Sequence, residues 1–252
     1  MKKLLINLFL LLIFAHCFAQ NEEVLSYRLT INDRLLGDKV EQNLIVYVHG
    51  ASSIELVIRP RNISNIEKSS NELSQIKVIK TKPYFIYKDF SAKKLLLSDY
   101  VGAKKYLITD TLNNFNWNIT NERKKIGNFN CKKASTVFRG RFYEAWYTDD
   151  VPLRNGPWNF CGLPGLIVKV KDKNSDFVYE LTGLSLKAKF DQKLVSIPSG
   201  FANERAFSYK EFRALYKKKL EDNIKLSRIT QVTPEGITGK VTITLPEKQE
   251  KF

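Results

Sequence analysis

The chain has 252 residues, a formal net charge of +15, 12% aromatic residues, three cysteines and two histidines. So few histidines exclude multi-histidine metal centres, and no Walker loop, GxGxxG, HExxH or GxSxG motif occurs, so nucleotide, zincin and α/β-hydrolase chemistry have no motif to rest on. The strong positive charge speaks for anionic surfaces as partners and carries no information about the fold.

Met1-Lys2-Lys3 is a basic start, Leu4 to Phe14 is an apolar run of signal-peptide length, and Cys17-Phe18-Ala19 supplies small residues at −3 and −1 of a cleavage site. Residues 1–19 are therefore expected to be a signal peptide, with a mature chain starting at Gln20 in the periplasm or outside the cell. His16 stands where a lipidation site wants a small residue. No later run approaches the roughly 20 apolar residues of a transmembrane helix, so no membrane span is expected. Removal of Lys2 and Lys3 lowers the charge to +13. In such a compartment the anionic partners are lipopolysaccharide, lipid headgroups and acidic polysaccharide rather than nucleic acid.

Short strand-like runs follow at close spacing: Leu25–Ile31, Leu44–His49, Ile54–Ile58, Ile76–Ile79, Phe85–Asp89, Lys94–Leu97, Tyr106–Thr109 and Phe115–Ile119. Cys131–Phe138 and Arg141–Thr148 flank Arg139-Gly140, a two-residue hairpin turn with Gly140 suited to positive φ. Leu166–Lys171 and Phe177–Leu186 flank the polar turn 172–176, completing a four-strand meander. Between its halves, 149–164 is a long loop holding Trp158, Phe160 and three prolines. Within it, Leu163-Pro164-Gly165-Leu166 reads as a type II turn, a rigid corner where glycine takes the positive φ. Ser208-Tyr209-Lys210-Glu211 is a capping box, and Phe212, Leu215, Tyr216, Leu220 and Ile224 recur at helical spacing, giving one amphipathic helix. Val241–Leu245 reads as a last strand and 247–252 as a frayed polar tail. The pattern predicts a mainly β protein: a single domain over 20–246, a curved antiparallel sheet of meander or half-barrel form with the C-terminal helix packed on it. At the level of fold, such a sheet resembles the half-barrel of periplasmic lipoprotein carriers.

The hexapeptide Gly162, Leu163, Pro164, Gly165, Leu166, Ile167 is the one for which the GLPGLI (Porph_ging) family is named, and the resemblance extends upstream. Trp117-Asn118-Ile119-Thr120 with Glu122, Lys125-Ile126-Gly127, Cys131-Lys132-Lys133-Ala134, Arg139-Gly140-Arg141, Ala145-Trp146-Tyr147-Thr148 and Gly156-Pro157-Trp158 are similar to the family pattern, in its order, through the middle of the chain. The family is of uncharacterised function. The resemblance implies a secreted Bacteroidota protein and no catalytic residue.

Cys131 and Cys161 are the two cysteines left after processing, and an even pair in an oxidising compartment most often forms a disulfide. Closing a loop of about 30 residues would contribute on the order of 3–4 kcal/mol. The alternatives are two buried thiols or a soft-metal site, the last lacking further ligands. No metal or other cofactor is expected. Period-two alternation puts Phe142, Glu144, Trp146 and Thr148 on one strand face and Arg141, Tyr143, Ala145 and Tyr147 on the other. Glu144 beside two aromatics needs a cation such as Lys133, Arg139 or Arg141. Asp149-Asp150 reads as a turn before Val151-Pro152.

Two classes of function stay open. The first is a non-enzymatic binding protein whose aromatic groove, with Trp146, Trp158, Phe160, Glu144 and Arg141 as candidate contacts, takes an apolar or amphipathic ligand, lipid or peptide. For each tryptophan, plugging the core is as good a reading as lining the groove. The second is a hydrolase using carboxylates such as Glu144, Asp149 or Asp150; a structural subunit of an outer-membrane complex is a third role.

Overall fold

Turn chemistry sets the architecture. Arg139 and Gly140 both take left-handed φ values, 47° and 77°, the combination that matches the twist of two antiparallel strands. Arg139 sustains it because its guanidinium pairs with Asp110 and with Glu250 at 2.7 Å. The computed structural model describes residues 22–33, 37–58, 82–112, 114–227, 230–232, 238–240 and 248–250. Among them the strands are β1 (Glu22–Asp33), β2 (Asp38–His49), β3 (Ser52–Ile58), β4 (Phe85–Asp89), β5 (Lys94–Val101), β6 (Lys104–Thr111), β7 (Asn118–Ile126), β8 (Phe129–Phe138), β9 (Arg141–Thr148), β10 (Leu166–Asp172), β11 (Phe177–Ser185) and β12 (Ala206–Ser208). Helix α1 spans Tyr209–Ser227, and β13 (Thr230–Val232) and β14 (Thr238–Lys240) pair apart as a small hairpin.

The first twelve strands form one curved sheet in the order β12-β6-β5-β4-β3-β2-β1-β11-β10-β9-β8-β7. Neighbours are antiparallel except β12, which runs parallel to β6. The first strand thus sits mid-sheet, pairing with β2 on one side and β11 on the other. Alternation sends one side-chain set inward: Leu25, Tyr27 and Leu29 from β1, Leu44, Val46 and Val48 from β2, and Tyr143, Ala145 and Tyr147 from β9 are all buried in the main core. On the other face Ile54, Phe85, Leu96 and Leu107 pack beneath Phe201, carried by the connection between β11 and β12.

The capping box forms as predicted: Ser208 N–H and hydroxyl both donate to Glu211 at 2.8 Å, and Glu211 N–H donates to Ser208 Oγ at 3.3 Å. Of its apolar stripe the helix buries Phe212 and Tyr216, while Leu220 and Ile224 are exposed. The apolar stripe is therefore half used. Hairpin β7–β8 departs from the sequence reading: the strand begins at Asn118 and runs to Ile126, whereas Phe115 packs into the core ahead of it. β7 is the outer edge of the sheet and almost wholly exposed, so it carries charge in place of apolar alternation. The tail is also different, since Glu250 is buried and Lys248 donates to Asp99 at 2.6 Å. The runs Ile76–Ile79 and Val241–Leu245 and the segment 1–19 lie outside the described residues.

Candidate functional site

Three polar residues on one face of neighbouring strands organise the site. Ser53 and Glu55 are two apart on β3, and Lys88 on β4 lies opposite Ser53. All three are buried. A buried ammonium is stable only with its donors satisfied, and Lys88 Nζ gives three hydrogen bonds: to Asn155 Oδ1 at 3.1 Å, Gly156 O at 2.7 Å and Phe160 O at 3.1 Å. Asn155 Nδ2 donates to Ser53 Oγ at 3.0 Å, and the Trp158 N–H donates to Glu55 Oε2 at 2.8 Å. The long loop is thereby pinned on the inner face of the sheet. It also folds back on β10, with Ile167 N–H donating to Asn155 O at 3.0 Å.

The pinning has a conformational cost. Trp158 holds φ of 48°, a left-handed value that a bulky residue adopts only when its surroundings enforce it. The carboxylate of Glu55 on its N–H and the rings of Phe138, Tyr143 and Phe160, with centroids 4.9–6.2 Å away, provide that enforcement.

Between the sheet, α1, the pinned loop and residues 248–250 lies a cavity of about 490 Å³. Its apolar lining comes from Leu29, Leu44, Val57, Leu97, Ile108 and Phe212. Trp158, Tyr84 and Tyr179 also border it, as do Glu55 and Asn159. Burial pushes the Glu55 carboxyl up to about 7, against the opposing pull of Lys88 and the Trp158 N–H. Burial likewise pulls the Lys88 ammonium below its ordinary value. The cations at the cavity wall are spoken for: Arg139 by Asp110 and Glu250, Lys248 by Asp99. Residues 248–250 are held across the barrel-like face by Tyr143, whose hydroxyl donates to Gln249 O, and by Gln249 Nε2 donating to Tyr179 Oη.

Of the five candidate contacts read from the sequence, Trp146, Trp158, Phe160, Glu144 and Arg141, Trp158 lines this cavity and the other four do not. Phe160 is fully buried in the core behind it. Trp146 and Glu144 stand on the outer face of β9, because they alternate with the inward Tyr143 and Ala145. Trp146 and Trp158 therefore do not share a groove. Glu144 is an ion pair with Lys133 at 3.0 Å, one of the expected partners. Arg141 is buried and braces the β10–β11 turn through Asp172 at 2.9 Å and Asp176 at 3.2 Å. Asp149 and Asp150 are exposed, the first paired with Lys132 and the second accepting from Asn130 N–H.

The cysteines also differ from expectation: Cys131 and Cys161 are buried thiols and form no bridge. Cys161 belongs to the main core, whereas Cys131 sits on β8 with its sulfur against Phe129 O at 3.7 Å, its thiol pushed up to about 11 by burial. The surroundings of Cys131 suit an inert thiol. At the Pro-Gly corner the hydrogen bond runs from Gly165 N–H to Leu163 O at 2.8 Å, a three-residue turn in place of type II. Glycine is needed there for space: an added Cβ would lie 2.0 Å from the Thr148 carbonyl oxygen.

Ser53, Glu55, Lys88 and Asn155 escaped the sequence reading. The available signal was Glu55 between Ile54 and Leu56 in a strand, and Lys88 two residues after Ile86: charges on the face that the alternation sends inward.

Comparison with known proteins places these features. The model of the Porph_ging family, described as a protein of unknown function, matches residues 139–169, in agreement with the resemblance read from the sequence. No curated protein sequence matches the chain. Two crystal forms of PNGF-II superpose with TM-scores of 0.50 and 0.52 at 16% identity, covering 79% of this chain and 33% and 34% of theirs. The chain thus spans about a third of PNGF-II, and the likeness is one of fold. The LolA superfamily protein NE2245 from Nitrosomonas europaea covers 71% of this chain and 92% of its own at 10% identity, but with a TM-score of 0.31 it carries no weight. Among the described residues no helix is long and apolar enough to cross a membrane.

Proposed function

We propose that this chain, carrying the Porph_ging segment at 139–169, is a non-enzymatic envelope binding protein that holds an apolar or amphipathic small molecule on the inner face of its sheet. The observation that carries the reading is the cavity of about 490 Å³, whose apolar lining and few converging polar groups are what a small-molecule site needs. The pinned loop supports it too, because a strained residue at a cavity wall, held by a buried carboxylate, is how binding sites are pre-organised. The signal-like segment 1–19 supports export to the periplasm or beyond. The basic surface suits a location among anionic envelope components. Glu144, Asp149 and Asp150 are not gathered at the cavity, so a hydrolase built on them gains no support from the geometry.

Native mass spectrometry of protein purified from envelopes tests the reading, with Val57→Trp, which fills the cavity from a half-buried position, as the comparison. An adduct on the wild type that the folded variant lacks is expected. An adduct retained by the variant, or a wild-type protein that takes up no apolar probe after extraction, would remove the basis of the proposal. N-terminal sequencing of the same material checks export, with Gln20 as the expected first residue.

A further inference from the structure

The chain's positive charge suggests an anionic ligand, yet the cavity is furnished the other way. Each cation at its wall is already paired, Arg139 with two carboxylates and Lys248 with one. Lys88, beneath the loop, spends its three donors on loop oxygens. Glu55 has no ion pair among the described residues, and its one hydrogen bond is from the Trp158 N–H to Oε2. A carboxylate has about four lone-pair sites, so acceptor capacity remains at the cavity. Asn159, next in sequence to Trp158 and also lining the cavity, is 4% exposed, and its Oδ1 has no hydrogen-bond partner. A buried orphan acceptor lining the same cavity as an under-used carboxyl leaves its wall short of a donor.

We infer that Glu55 and Asn159, two polar groups of the cavity wall, select an amphipathic molecule with an ammonium head over one with a carboxylate head. The inference rests on the binding reading above and adds the ligand's class. An ammonium offers three donors to these acceptors and adds to the pull that Lys88 already exerts on the charge of Glu55. Because burial holds that carboxyl near 7, an arriving cation draws it into the ionised form at neutral pH. The rings of Tyr84, Trp158 and Tyr179 border the same cavity and suit a desolvated cation. A carboxylate head would meet Glu55 while the wall cations among the described residues, Arg139 and Lys248, are committed to carboxylates of their own.

The test is a titration of extracted, full-length mature protein with dodecylamine, dodecanol and dodecanoate at equal chain length, below their aggregation limits, followed by calorimetry. Dodecylamine is expected to bind at least about tenfold tighter than dodecanoate, with dodecanol between them. Glu55→Gln should bring the amine to within a few-fold of the alcohol while leaving alcohol binding unchanged. If that variant does not fold, Asn159→Leu should weaken the amine alone. Dodecanoate binding as tightly as the amine overturns the inference and leaves the binding reading standing. Amine binding that survives Val57→Trp is surface adsorption and overturns it as well, and failure of all three probes to bind overturns both.

Discussion

Replacing Gly165 by alanine adds one methyl group, and the structure says where it lands. The new Cβ would lie 2.0 Å from Thr148 O, 2.7 Å from Thr148 C and 3.1 Å from Asp149 Cα. A carbon and a carbonyl oxygen approach no closer than about 3.3 Å without penalty, so the end of β9 and the corner must part by about 1 Å. Both are backbone, so no side-chain rotation relieves the clash. Leu166 pairs with Thr148 at this point, and Leu163 and Leu166 are fully buried, so the separation loosens both the ladder and the core. Overpacking of about 1–3 kcal/mol with one or two weakened hydrogen bonds at about 1 kcal/mol each gives a loss of about 2–5 kcal/mol, or a fall in Tm of roughly 5–15 °C for a chain of this size. The assay is urea unfolding of Gly165→Ala beside Gly127→Ala. Gly127 has positive φ but open space where its Cβ would go, so the control should lose about 1–2 kcal/mol. Equal losses in the two variants would show that the corner demands a dihedral angle and not space.

Lys88→Met removes the donor to the Gly156 and Phe160 carbonyls and should cost about 3 kcal/mol in urea unfolding; a neutral result would mean that the loop is held by its apolar contacts alone. Glu55 makes stability depend on pH: its folded value near 7 lies above the ordinary 4.5, so its contribution is present in full below about pH 4.5, falls as pH climbs and is gone once pH passes 7. The difference approaches about 3 kcal/mol, and the wild type should lose stability relative to Glu55→Gln between pH 4.5 and 7; parallel profiles would contradict the raised value. Glu144→Gln breaks a partly exposed ion pair with Lys133 and should change stability by under about 1 kcal/mol, a larger loss pointing to a role that the outer face does not suggest.

The elements that could be read from the sequence are those whose local chemistry and tertiary role agree. Arg139-Gly140, the alternation along β9 and the capping box at Ser208 are each decided within a few residues, and each is found as expected. β7 could not be read because an edge strand needs no apolar side, and its Asn121 to Lys125 stretch looks like a loop. The site was the least legible part. Trp158 was visible as an aromatic in a long loop, but the residues that fix it come from β3 and β4, about 100 and 70 positions earlier, with no motif linking them. Trp146 misled because composition reports an aromatic without saying which face of the strand it occupies. The cysteine pair misled similarly, since counting thiols says nothing about whether their surroundings meet.

The position of β1 in the middle of the sheet has a consequence for how the chain must assemble. Strands 1 to 6 each pair with their neighbours in sequence, and so do strands 7 to 11, but the two halves are joined through β1 and β11, in pairs such as Leu29 with Tyr179. Closing a loop of that length costs about 3 kcal/mol more entropy than closing a four-residue hairpin. The seam therefore raises the contact order and slows folding. Because β1 is synthesised first and β11 much later, one edge of β1 waits unpaired while the intervening strands are made. A nascent or partly translocated chain presents there a row of free backbone donors and acceptors, open to the wrong strand. Chaperone demand during biogenesis should then track the delay between these two strands more closely than the stability of the finished sheet.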